Sequence, residues 1–141
     1  MDRVTTRRSM ESLSGKSPAG RTFAEEFAEI RRLEFSVEEN IEEALRGDPE
    51  FAPVLESGAV AVPTFRVALE KGEFGAIPTG TLQYRLRMPS GEETAPIQHE
   101  LTICLSHAGS PIFRVNGRQF TCVTEAVLIL KTAIKYMLTK E

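Results

Sequence analysis

The segment from Glu125 to Thr139 constrains this chain more than any other. Its polar residues Glu125, Lys131, Thr132, Lys135 and Thr139 gather on one side of a helix. Ala126, Val127, Ile129, Leu130, Ala133, Ile134, Tyr136, Met137 and Leu138 spread over an arc of about 200° at 100° per residue. One sheet face shelters less than that. A second helix, or a second subunit, must also pack on it. Leu128 falls in the middle of the polar stripe and stands out as an apolar residue in the wet sector.

A second helical pattern lies near the start. Thr22-Phe23-Ala24-Glu25 fits a capping box. Phe23, Phe27, Ile30, Leu33, Val37, Ile41, Ala44 and Leu45 then share a stripe about 120° wide. The pattern predicts a helix over 23–46 with Gly47 at its stop. Ser36-Val37-Glu38-Glu39 is a competing capping box that would break the helix near Phe35. Phe35 lies off the stripe, so it is either a kink residue or an exposed aromatic contact.

Between these helices the period changes to two. Phe65, Val67 and Leu69 alternate with Thr64, Arg66, Ala68 and Glu70. Leu82, Tyr84, Leu86 and Met88 alternate with Gln83, Arg85 and Arg87, and Leu101, Ile103 and Leu105 with Thr102 and Cys104. Such alternation predicts antiparallel strands with one wet face. Gly72, Gly75 and Pro78 mark one turn and Pro89-Ser90-Gly91 another. Asn116-Gly117 is the sharpest local signal. Both central positions of a type I′ turn need positive φ, so Val115 is predicted opposite Arg118 in a tight hairpin. Asp48 to Ser57 reads as a connector with one helical turn.

The expected fold is α+β: an antiparallel sheet of four to five strands, packed by an N-terminal and a C-terminal helix, in the order αββββ(β)α. Helix–sheet–helix order resembles that of double-stranded-RNA-binding modules and of small secretion or assembly chaperones. The basic helix motif of the RNA modules is missing here. Residues 1–21 carry five basic and two acidic groups with no apolar period, and are expected to form a flexible or partner-docked arm. Residues 22–141 are expected to be a single domain.

With 41% apolar and 26% charged residues in 141, the chain has the balance of an ordinary soluble domain. Its longest apolar run, Ala126 to Leu130, is too short to span a membrane. No apolar stretch follows the basic N-terminus, and two cysteines make no disulfide framework. A cytoplasmic location, or one within an intracellular assembly, is expected. Residues 22–58 hold eleven acidic and three basic groups, which predicts a wet, phosphate-repelling outer face for the first helix.

Chemistry-bearing motifs are sparse. His99, Cys104, His107 and Cys122 match no common zinc spacing, and on a strand Cys104 points away from His99. Ser106-His107 are strand neighbours and point apart. The glycines from Gly72 to Gly80 lie between strands, without the helix that a phosphate loop needs. Neither a metal nor another cofactor is expected.

Two surfaces are left. Arg66, Arg85, Arg87 and Arg114, with Arg118 as a further candidate, can share the wet sheet face and hold phosphates. The aromatic residues Phe65 and Tyr84 take the opposite parity, which weakens a single-strand nucleic-acid reading. Phe35, Leu128 and Tyr136 are the candidate anchors for a protein partner. The expected function is therefore non-enzymatic interaction or assembly. The protein would act as an oligomer or as a small subunit of a larger complex, such as a virion or a multiprotein machine, through its C-terminal helix and N-terminal arm. A nucleic-acid-binding module is the alternative, and a small enzyme of unknown class the third reading.

Overall fold

A computed structural model of the chain describes residues 15–17, 19–94 and 99–139. Helix α1 runs unbroken over Phe23–Arg46, so the Ser36 capping box is not used. Thr22 caps it, its Oγ1 accepting from the Glu25 N–H at 3.1 Å. A one-turn helix α2 (Ala52–Glu56) follows. The strands are β1 (Val60–Gly72), β2 (Gly75–Arg87), β3 (Leu101–Leu105), β4 (Pro111–Val115) and β5 (Arg118–Phe120). Helix α3 (Val123–Thr139) closes the chain.

The sheet is a simple antiparallel meander, β1-β2-β3-β4-β5. Val115 pairs with Arg118, and Asn116 and Gly117 both take positive φ, 52° and 79°. The first hairpin is longer than the alternation alone suggests. Gly72 pairs with Gly75, so Glu73 and Phe74 form the turn, while Pro78 lies inside β2 opposite Leu69. Only Gly80 to Leu82 of β2 pair with β3. The paired segments 68–72 and 75–79 therefore run on beyond the pairing with β3, by roughly 17 Å at 3.4 Å per residue.

The prolines fit this ladder for a definite reason. Leu86 directs both its N–H and its C=O to Thr94, away from β1. Its pair with Ala61 is thus a non-hydrogen-bonded one, and by alternation so are Pro63↔Tyr84 and Leu69↔Pro78. At such positions the backbone nitrogen points off the ladder, so a proline removes no bond between β1 and β2.

One sheet face is buried. Leu82, Tyr84, Leu86, Leu101, Ile103, Phe113 and Val115 form a single core with Ile30, Leu33, Val37, Ile41 and Leu45 of α1 and with Ala126, Val127, Leu130 and Ile134 of α3. Of the two coverings the oily C-terminal helix allows, the second helix is the one found: α1 lies along α3. Ile129 and Ala133 are half-buried against the same core, while Tyr136 is exposed. The side chains of Met137 and Leu138 lie outside the described residues.

Polar anchors fix the helices. Asp48 Oδ2 lies 3.0 Å from Lys131 Nζ and 2.9 Å from Lys135 Nζ, tying the end of α1 to α3. These lysines hold the Asp48 carboxyl well below the usual range. Buried Glu26 accepts from Ser17 Oγ at 2.6 Å and from Arg21 Nε at 3.0 Å. Arg21 also donates to the Ser106 and His107 carbonyls. Of the expected arm, residues 15–17 and 19–21 are thus joined to the domain, and residues 1–14 lie outside the described ones.

Helix α1 approaches the sheet closely at Gly80. A methyl there would stand 2.5 Å from Phe65 Cζ and 2.7 Å from Ile30 Cγ2. Glycine lets the Phe65 ring cross its own ladder partner strand while α1 seats above. Gly80→Ala is expected to destabilise the fold by about 1–3 kcal/mol through overpacking. Urea unfolding checks this, and a second change, Phe65→Leu, should recover part of the loss.

Candidate functional site

The residues singled out for a partner do not form one patch. Phe35 is 52% exposed. It stands beside edge strand β1, where the Arg31 guanidinium lies 4.7 Å from its ring centre and 5.1 Å from that of Phe65. This cation–π sandwich is the exposed aromatic contact, not a kink. Leu128 and Tyr136 lie on the outer side of α3, which covers β4 and β5 at the other end of the sheet. Sequence reasoning missed three further exposed apolar residues on or beside β1, Val60, Val67 and Phe74. Phe74, at the hairpin tip, is 81% exposed. Its signal was the spacing of Gly72 and Gly75, which makes Phe74 a turn residue.

The arginines do share a face. Arg66 pairs with Thr81, Thr81 with Thr102, Thr102 with Arg114 and Arg114 with Gln119, one row straight across the sheet. Cross-strand partners point to the same side, so Arg66 and Arg114 lie on the face away from the helices. Arg85 and Arg87 share the parity of Thr81. Arg118 does not join them, because it pairs with core-facing Val115. Carboxylates accompany three of the four. Arg66 meets Glu100 at 3.3 Å, while Arg85 and Arg87 share Glu93 at 3.7 and 3.1 Å. Arg114 Nε donates to Gln119 Oε1 at 3.3 Å.

A cleft of about 370 Å³ opens between the second half of α1, α2 and the start of β1. Ile41, Leu45, Leu55, Ala61 and Pro63 give it an apolar wall, and Glu38, Glu42 and Tyr84 supply polar groups. Beside it sits Glu34, fully buried. Neither of its oxygens has a hydrogen-bond partner as a carboxylate, and Arg31 approaches no closer than 3.8 Å. Burial, followed by hydrogen bonding and like charge from Glu38, pushes the Glu34 carboxyl up to about 8. Burial and the charges of Glu38, Glu34 and Glu42 also push the Tyr84 phenol up.

Two acidic residues of α1 lie off its wet outer face. Glu26 and Glu34 are both buried. Their angles fall inside the apolar stripe of α1, a signal the sequence contained. A protonated carboxyl beside a second carboxylate has the form of a general acid. Glu34 itself is fully buried, and its neighbour Glu38 lines the cleft.

The thiols stay apart in character. Burial pushes Cys104 up, whereas the Thr124 backbone N–H at the start of α3 lowers exposed Cys122. Among the described residues no group of three His, Cys, Asp and Glu side chains converges, and no helix is long and apolar enough to cross a membrane. Compared with protein-family models, curated proteins and solved structures, the chain matches none.

Glu34 sets a pH dependence. In the unfolded chain it titrates near 4.5, so between there and about 8 the folded form keeps a proton the unfolded form has lost. Its contribution to stability is full below about 4.5 and is lost as pH rises towards 8. Urea unfolding at pH 5, 7 and 9 should show stability declining, and Glu34→Gln should flatten that decline by more than about 1 kcal/mol.

Proposed function

We propose that the chain is a non-enzymatic interaction or assembly protein, acting as an oligomer or as a small subunit of a larger complex. One observation carries this reading: β1 is a thirteen-residue edge strand whose outer side is unpaired among the described residues, and it leads to a projecting hairpin with Phe74 at its tip. Long open edges are normally shortened, covered or heavily charged, because they pair with other strands. This edge has one proline, Pro63, near its start and exposed Val67 further on. Exposed Phe74 adds the kind of aromatic anchor that fills a pocket on a partner.

The emphasis moves from α3 to β1. The arc of α3 is largely covered by its own chain, which leaves Leu128 and Tyr136 as a secondary contact. The reading places the protein in the cytoplasm or within an intracellular assembly, where Cys104 and Cys122 stay reduced.

Photo-cross-linking tests the proposal. With a benzophenone amino acid at position 74 or 67, expressed in the native cell, a protein adduct is expected from both sites. No adduct from either site, with the variants folded, overturns it. A nucleic-acid reading is favoured by the four arginines on one face, although Glu93 and Glu100 offset three of them. It predicts a salt-dependent shift of short oligonucleotides, lost in Arg85→Ala with Arg87→Ala. No shift at low salt ends it.

A further inference from the structure

We infer that the β1 edge pairs with the β1 edge of a second copy of this chain, antiparallel, about a two-fold axis at Ala68. This rests on the assembly reading and names its partner. The ladder geometry fixes which residues take part. The pair Ala61↔Leu86 is non-hydrogen-bonded, so alternation turns the backbone of Pro63, Phe65, Val67, Leu69 and Lys71 outward. Pro63 has no N–H to offer. The complete donor–acceptor run is therefore Phe65, Val67, Leu69 and Lys71.

A second β1 must match these four with the same four. Only one two-fold register does so, with Phe65 against the second copy's Lys71 and Val67 against its Leu69. Moving the axis to Val67 sets Lys71 against Pro63 and loses a bond. In the Ala68 register the side chains also agree. Arg66 comes opposite the second copy's Glu70, and by symmetry this occurs twice. Ala68 meets Ala68 at the axis, where its small side chain permits close approach. Arg66, Val67, Ala68 and Glu70 are all exposed in the single chain. Opposite charges across a strand pair stabilise it, and like charges oppose it. Axes at Arg66 or Glu70 would each place like charges face to face.

In this register the hairpin tip at Phe74 comes level with the second copy's Val62. Antiparallel pairing keeps the two helix faces on one side. There, the second copy's Ala61, Pro63 and Tyr84 line the cleft of about 370 Å³, which has room for an aromatic ring. The dimer is isologous, each hairpin tip lying level with the other copy's cleft.

Light scattering on the full chain should give twice the 15.6 kDa of one copy. Arg66→Glu and Glu70→Arg should each weaken dimerisation by about tenfold. The two together should restore it, a rescue that loss of the Arg66–Glu100 pair alone would not produce. Ala68 lies in a non-hydrogen-bonded pair, with Cα atoms about 4.5 Å apart, within disulfide reach. In a Cys122→Ser background, Ala68→Cys should form a covalent dimer on mild oxidation and Thr64→Cys should not. Circular dichroism confirms that each variant is folded. A monomer at every concentration overturns the inference, as does a dimer without charge-swap rescue or without the Ala68→Cys link. A monomer whose position 74 still cross-links to a different protein overturns self-pairing and leaves the assembly reading standing.

Discussion

The seating of α1 on the sheet at Gly80 is the constraint on which the rest of the structure depends. Ile30 and Phe65 both occupy space that any side chain at that position would take. This close approach lets one ridge of α1, through Val37, Ile41 and Leu45, reach the sheet while its flank meets α3. Two helices on one face bury what neither covers alone. The same seating leaves the other sheet face to threonines and ion-paired arginines, and leaves β1 outside the shelter of α1 for half its length.

The buried charges show three ways of surviving in a low-dielectric place. Glu26 is solvated by Ser17 and Arg21. Asp48 is matched by two lysines of α3. Glu34 has neither, and keeps its proton instead. The first two join distant parts of the chain. Glu34 joins nothing, and its place under the rim of the cleft makes the fold sensitive to alkali at the edge of the physiological range.

Elements governed by local rules were legible in the sequence. Thr22 as a cap, the Asn116-Gly117 hairpin, the alternation in β2 and β3 and the α+β order all follow from chemistry within a few residues. What depended on distant partners was harder to read. Pro78 looks like a turn residue because a proline in a strand is tolerated only where its nitrogen faces no neighbour, and that depends on how far β3 extends. Glu34 looks like part of a solvated run until its helical angle is set against Ile30 and Ile41. Phe51 lies in a proline-flanked connector yet is buried in the core, which no local pattern predicts. What covers α3 was open for a related reason: the width of its oily arc is visible in the sequence, but the identity of the covering helix is not.

The meander has a consequence for how the molecule is made. Every strand pairs with its sequence neighbour, so the sheet assembles from short loops. The links between α1 and the end of the chain are different: Asp48 waits for Lys135, 87 residues away, and Arg21 for Ser106, 85 residues away. On the ribosome α1 is made before the strands that its ridge meets, and its flank stays uncovered until α3 is synthesised. Among the described helices, the one translated earliest is enclosed only when the latest is made, and during that interval the acidic residues around its ridge favour keeping the nascent chain in solution.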